Sequence, residues 1–336
     1  MNNTDSKPMG GKAKPDDSEV VRGVRRYQLG LGMFNLIIPL DFIMIIIGLP
    51  VGFLFVVAGG DAGYLPLLII GIAAIPVEFI LAKLNKKLEK KFKIYVGENI
   101  TRDIIAERVE ISQYSPDKWI NSGFIDRCMI LPKYDRMNGS DYVKGTYRGV
   151  PFVYCDLELE REYQDRDKDG HKKTKYRTVF KGSLINLEMP KEMEGYLRIK
   201  ERKEPRKEKN FLSNIFSGAA DVIGISKTDN TIEVESVEFN NRFEIKSNNG
   251  EMAFYILTPQ FMESILRAEK MTSGYTNIEF KGRNANITIN NGSDSFEIKR
   301  TMCSRRALEK SRQQMRKELN LILDIVDEML TKDKLF

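Results

Sequence analysis

Two apolar blocks, seven residues apart, decide most of what this chain can fold into. The first is LIIPLDFIMIIIGLPVGFLFVV, Leu36 to Val57, and the second is LPLLIIGIAAIPVEFILA, Leu65 to Ala82. Crossing a hydrocarbon core takes roughly 20 apolar residues, and both blocks reach or approach that length. Their connection, AGGDAGY, is too short to hold a domain. The pair is therefore expected to form an antiparallel transmembrane hairpin. Arg22, Arg25 and Arg26 precede it, Lys83, Lys86, Lys87, Lys90, Lys91 and Lys93 follow it, and the loop carries neither Lys nor Arg. Positive charge marks the inner side, so both termini and the main domain are expected in the cytoplasm of a two-span cell-membrane protein. A cleaved signal peptide is the competing reading. The apolar run starts too late and runs too long for that, and a second span follows.

Two acids interrupt the apolar blocks: Asp41 near the start of the first and Glu78 near the end of the second. A hairpin turning at Gly59 and Gly60 brings them to similar depth. Intramembrane carboxylates are functional candidates, here for sharing a proton or holding a cation. The plainer reading puts both near the interface, in reach of water or a lysine. Pro39, Pro50 and Pro76, with Gly48 and Gly52, suit kinked, closely packed helices. The six lysines from Lys83 to Lys93 set topology and also suit anionic lipid headgroups. Up to Lys93 the chain has twelve basic and eight acidic residues, four of its net +6. The basic excess lies beside the membrane segment, which argues against nucleic acid as a partner of the remainder.

The expected layout is a disordered and juxtamembrane N-terminus over 1–33, a transmembrane hairpin over 34–84, a cytoplasmic α+β domain over 85–300 and an amphipathic helix over 301–336. Residues 1–20 are polar and lack an apolar pattern, so they are expected to be disordered. The stretch from Leu81 to Val109 reads as helix continuing the second span. Ser115 and Pro116 read as the cap and first position of a short helix. Beyond Asp141 the period changes to strands: VPFVYCDLELEREY, KYRTVFKGSLINLEM, GYLRIK, TIEVESVEF, RFEIKS and MAFYIL. A helix follows at TPQFMESILRAEK, capped by Thr258 with Pro259 at its first position. Three more short strands then run to about Ile298, joined by KGRN and NNGSD turns. Strands with short polar turns predict a mostly antiparallel sheet with flanking helices. The apolar segment at 211–225, after the charged KERKEPRKEKN, has two readings: dipping into a lipid surface or capping the core.

Chemistry is sparse. Cys128, Cys155 and Cys303 are odd in number and scattered, and His171 is the sole histidine. This excludes a disulfide framework, a zinc site and a Ser-His-Asp triad. No phosphate loop, dinucleotide glycine motif or nucleophile elbow is present, and no cofactor is expected. Asp165, Asp167 and Asp169 before Gly170 open like a calcium loop. The twelfth position, however, is Tyr176, strands flank the segment, and Lys168, Lys172, Lys173 and Lys175 oppose a cation. A hairpin tip explains it, with Asp and Gly supplying the turn. Asp156 and Glu158 alternate on one strand face and are expected to be solvated. In the C-terminal helix, Leu308, Met315, Leu319, Ile322, Val326 and Met329 follow a heptad pattern. They suit a partner helix or self-association, whereas Leu321, Leu323, Ile325 and Leu330 broaden the face toward packing on the chain itself.

The blocks DYVKGTYRGVPFVYCDLELE, VFKGSLINLEMP and VEFNNRFEIKSNNGEMAFYILTPQFMESIL resemble, in that order, the DUF3137 family of bacterial proteins of unknown function. Phe239, Phe243, Tyr255, Leu257, Thr258 and Pro259 carry the most specific part. The resemblance spans most of 94–300 and implies two membrane spans ahead of the domain. It also implies a LemA-type membrane protein as partner, and no catalytic residues. The charged segment at 161–178 and the stretch 201–227 depart from many members. Gly145, Gly149 and Gly182 read as turns or close approaches.

The function expected from these features is a membrane-tethered cytoplasmic protein-binding module, an adaptor or scaffold without catalysis. An anionic-lipid or envelope-stress sensor is the alternative, and an enzyme of unrecognised type ranks third. A transporter requires oligomerisation around Asp41 and Glu78.

Overall fold

A computed structural model describes residues 16–57, 65–166, 172–204, 230–272, 274–296, 298 and 304–330. The calcium-loop residues Asp167 and Asp169, the stretch 211–225 and Cys303 lie outside them. The chain divides into two compact units: Met1–Asn99 with Ile298–Ser311, and Ile100–Glu297 with Arg312–Phe336.

The first unit is built on α1 (Asp17–Val57) and α2 (Leu65–Val96). α1 starts earlier than the polar composition of residues 1–20 suggests. Asp16 accepts hydrogen bonds from the Ser18 hydroxyl (2.8 Å) and the Asp17 amide (2.8 Å), closing the first turn. The helices run antiparallel and close. A Cβ on Gly23 would strike Tyr95, one on Gly30 would meet Leu88, and one on Gly71 would press on Leu49. Tyr27 packs between Phe92 and Tyr95, with ring centroids 6.0 and 5.4 Å away. Toward the apolar ends this packing gives way to exposure: Leu36, Leu40, Phe53, Leu54 and Phe79 are all at least 61% exposed. Among the described residues one helix, α1, is long and apolar enough to cross a membrane, and only 11% of its apolar window is buried.

α2 passes through a π-helical turn (Gly97–Thr101) into α3 (Arg102–Ala106), so the helical reading of the stretch to Val109 holds through Ala106. The second unit is a seven-stranded antiparallel sheet. Its strands are β1 (Glu110–Ser115), β2 (Arg136–Tyr147), β3 (Val150–Arg166), β4 (Lys172–Glu201), β5 (Thr231–Ile232), β6 (Phe243–Ser247) and β7 (Tyr275–Asn290). The order is β1-β2-β3-β4-β6-β5, with β7 also on β4. The 30-residue β4 is the spine. One edge pairs with β3 through Leu187 and then with β6 from Leu197, while β7 follows the other edge. Between these halves the register slips around Met193. Pro190, which has no N–H for a ladder, and Gly195 at φ +91° suit that irregularity.

Capping chemistry overrides strand propensity in several places. SPDKW forms no helix at Pro116. Its carbonyls at Pro116 and Lys118 accept from Asp141 and Tyr142 of β2 (3.2 and 3.1 Å), which draws it alongside the sheet. The short helix is α4 (Ser122–Ile125), capped by Asn121. TIEVESVEF keeps only the two-residue β5. Ser236 then caps α5 (Val237–Arg242) through the Phe239 amide. MAFYIL is α6 (Gly250–Ile256), opened by Asn249 Oδ1 accepting from the Met252 amide at 3.1 Å. Thr258 caps α7 (Pro259–Met271) as its pattern requires. In place of the three short strands expected after it, the described residues form one long strand, β7, irregular opposite Met193 at Gly282 (φ +57°). The C-terminal helix is α8 (Arg305–Leu330).

Both faces of β3 are covered. Cys155, Leu157 and Leu159 join Ile120, Ile125, Cys128, Leu131, Phe180 and Leu184 in one core layer. The alternate residues Phe152, Tyr154 and Asp156 are equally buried on the opposite face.

Candidate functional site

The structure brings Asp41 and Glu78 together. Their carboxyl groups are near enough to interact across α1 and α2, in line with the packing register of Gly30 on Leu88 and Gly71 on Leu49, and one oxygen of each is buried without a hydrogen-bond partner. Lys83, Lys86, Lys87, Lys90 and Lys91 are exposed along the polar part of α2, and Lys93 is half-buried. Asp165 is bridged to Lys175 at 2.5 Å, and that ammonium draws its carboxyl below the usual range. Its nearest charge is thus an ammonium, the arrangement of a hairpin and not of a calcium ligand.

The heptad residues take the second of their two readings, packing on the chain itself. Leu308, Met315, Leu319, Ile322, Val326 and Met329 are each at most 2% exposed. Leu323 and Ile325 are buried with them, so this broad face is packed within the chain and leaves no seam for a partner helix. Asp156 is a correction, being 3% exposed and not solvated.

Asp156 belongs to a cluster that sequence spacing does not show. One oxygen from each of Asp141, Asp156 and Asp294 lies within 4.8 Å of the others. Asp141 sits at a bulge in β2, where the register to β3 shifts between Ser140 and Val143. Its φ of +54° is uncommon for a residue with a side chain. Asp156 is central in β3, and Asp294 lies in the turn after β7. Tyr154 Oη (2.8 Å) and Ser183 Oγ (2.9 Å) donate to Asp156 Oδ1. The Ser295 amide donates to Asp156 Oδ2 at 3.3 Å. Tyr114 Oη donates to Asp141 at 2.6 Å and Ser140 Oγ to Asp294 at 3.2 Å. Phe296 packs on Tyr154, with ring centroids 5.3 Å apart.

Burial pushes the Asp156 carboxyl well above its ordinary range, and the charge of Asp294 and a hydrogen bond to it add to the rise. Three carboxylates this close do not all ionise in a buried site. Hard oxygen ligands of this kind also suit calcium or magnesium. Here, however, four donors already occupy Asp156 and Asp141, and burial beside Asp294 favours the protonated form of Asp156. The residues present fit a proton-sharing network. It adjoins a cavity of about 80 Å³ whose walls include Ser183, Thr272, Ser295, Gln314, Lys317 and Glu318. That space accommodates a few waters. Burial raises the Glu318 carboxyl, with a further contribution from Asp294. Elsewhere burial pushes the thiols of Cys128 and Cys155 up to about 12, so neither is a ready nucleophile.

Fold and site together define an antiparallel α+β domain with a buried carboxyl network, on a chain that also carries an apolar helix of membrane-spanning length. Residues 178–330 match the DUF3137 family, described as a protein of unknown function, and the family likeness holds over that region. The match takes in Ser183, Asp294, Ser295, Glu318 and all of α8, while Asp141 and Asp156 precede it. No curated protein is significantly similar to the chain. Among solved structures, the mycobacterial trehalose monomycolate transport factor A aligns at 9% identity with a TM-score of 0.30. That alignment covers 67% of this chain and 95% of that one.

Proposed function

We propose that the protein is a membrane-tethered binding module: α1 and α2 lie in the bilayer as a hairpin, and the sheet domain engages a protein partner on the cytoplasmic side. The observation that carries this reading is the exposed apolar surface of the two helices. In water, contiguous side chains such as Leu36, Leu40, Phe53, Leu54 and Phe79 would drive association. In lipid they are the normal outer face of a helix pair, and only the small and polar positions need to meet. The arginines before α1's apolar run and the lysines after α2's support inward-facing ends. The buried thiols, pushed up to about 12, support binding over catalysis.

On the sheet domain, Phe254 and Tyr255 of α6 stand 57% and 40% exposed. Both lie within the family-matched region. Two adjacent exposed aromatics are the surface type enriched at protein interfaces. The test has two arms. Carbonate extraction with cysteine-accessibility mapping should leave the chain in the membrane with residues before α1 and after α2 on the same side. A photo-crosslinker at Phe254 should capture one discrete protein in cells. Release by carbonate refutes the anchor, and absence of any specific adduct at Phe254 or Tyr255 refutes the docking face.

A further inference from the structure

The hairpin of β3 and β4 runs past the rest of the sheet. Arg161–Arg166 pairs with Lys172–Arg177, while the β2 ladder stops at Glu160 and the β7 ladder at Ser183. Nearly every side chain in this two-stranded arm is exposed. An unsupported ribbon is marginal in water, and its two faces differ. Directly opposed residues share a face, so one face carries Glu162, Gln164, Arg166, Lys172, Thr174 and Tyr176. Its inner end is tied to the sheet: the Arg136 guanidinium lies 3.3 Å from the Tyr176 ring centroid, and Tyr176 Oη donates to Glu162 at 3.1 Å.

The other face carries Arg161, Tyr163, Asp165, Lys173, Lys175 and Arg177, four cations against one carboxylate. Its one acid among the described residues, Asp165, is bridged to Lys175. Arg161 stands directly across from Arg177, and neither has an ion-pair partner among the described residues. Like charges opposed across a ladder destabilise it. A ribbon that bears this cost, with its larger cationic excess on one face, is arranged for an external anion.

We propose that this face of the β3–β4 arm binds an anionic lipid surface, with Arg161 and Arg177 gripping headgroup phosphates and Tyr163 at the interfacial level. A row of cations along one ribbon face complements the negative surface of a cytoplasmic leaflet. Guanidinium groups bind phosphate through paired N–H donors, and tyrosine favours the membrane–water boundary. The proposal rests on the membrane-tethered reading, since tethering keeps the bilayer at high effective concentration.

The test uses the full chain in nanodiscs of phosphatidylcholine alone or with about a third phosphatidylglycerol. A dye is placed at Thr174→Cys on the opposite face, in a Cys303→Ser background, and a headgroup-level quencher reports proximity. Each surface-bound Arg or Lys favours anionic lipid roughly fivefold. Quenching should therefore be strong with phosphatidylglycerol, weak without it, and lost near 1 M salt as screening shortens to about 3 Å. Arg161→Gln with Arg177→Gln should abolish the lipid contrast while the unfolding midpoint read by Trp119 holds or rises. Equal quenching in both lipids overturns the proposal, as does a double variant that keeps the contrast. Capture of an acidic protein with no lipid contrast overturns it as well. A chain that does not enter the discs refutes the tether instead. The arm is then tested by sedimentation with the same two lipids as vesicles, where binding only to the anionic ones supports the proposal and no preference overturns it.

Discussion

Replacing Asp156 by Asn should remove much of the pH dependence of the sheet domain's stability. Asp156 is 3% exposed, and burial together with Asp294 raises its carboxyl pKa. In the unfolded chain it titrates near 3.9. Between that value and the raised one, the fold holds a proton that the unfolded chain has released. Stability therefore grows as pH falls through this window, by at most about 1.4 kcal/mol per pH unit for one proton. The contribution is complete below the unfolded pKa and is lost as pH rises through the folded one. Asn is neutral at every pH and nearly isosteric. Its Oδ1 still accepts from Tyr154 and Ser183, and its amide can donate toward Asp294. The Ser295 amide loses its acceptor, which costs about 1 kcal/mol. Burial also raises Glu201, Glu279 and Glu318, so the wild-type slope contains them too, and the wild-type-minus-variant difference isolates Asp156. Urea unfolding in mild detergent, followed by Trp119 fluorescence, reports on this unit because Trp119 packs against its core layer. Midpoints at pH 5.5, 6.5 and 7.5 should rise with acid in the wild type and rise less steeply in the variant. A wild-type midpoint that falls with acid, or equal slopes in the two proteins, refutes the reasoning.

Three further outcomes follow from the packing. Ile322→Ala truncates an α8 residue that is 2% exposed and should cost about 2–5 kcal/mol by the same unfolding assay. An intact midpoint would show the helix face is not committed to the chain. Gly182→Ala places a Cβ 1.9 Å from the Ile289 carbonyl oxygen at φ +154° and should lower the melting temperature by several degrees, whereas Gly292→Ala, with open space around it, should cost only the strain of φ +72°. Millimolar calcium should leave the melting temperature unchanged. A concentration-dependent rise, which selective binding to the folded state would produce, would make the aspartate network a cation site.

The features legible in the sequence are those written in local order. Apolar length located α1, and Thr258 followed by Pro259 located α7, because capping acts within one turn. The errors at TIEVESVEF and MAFYIL have one cause. β-branched and aromatic residues favour strands only as a weak prior. Ser236 and Asn249 each satisfy an otherwise orphaned amide, and that tips six or seven residues into helix. The heptad in α8 was visible as a pattern, but a pattern gives the apolar face and not the surface that covers it. Buried Leu323 and Ile325 beside the heptad positions are what a broad intramolecular contact looks like, and the sequence already held that signal.

The two carboxyl pairs, Asp41 with Glu78 and Asp156 with Asp294, differ in how they can be found. In an apolar run a single acid stands out, and a seven-residue loop fixes which partner lies across from it. Asp41 and Glu78 therefore meet by arithmetic on the hairpin. Asp156 sits in VYCDLELE, where alternation assigns it to a face but cannot say that the face is covered. Its partners are Asp294, 138 residues later in a turn, and Asp141, held by a bulge that puts a non-glycine residue at positive φ. The one local sign was the run Val153-Tyr154-Cys155-Asp156-Leu157, apolar at both alternating faces except for the aspartate, as in a strand buried on both sides. A strand buried on both faces must satisfy its polar side chains internally. A single aspartate in such a strand should prompt a search for distant hydroxyls and acids, because an isolated charge there would be too costly to keep.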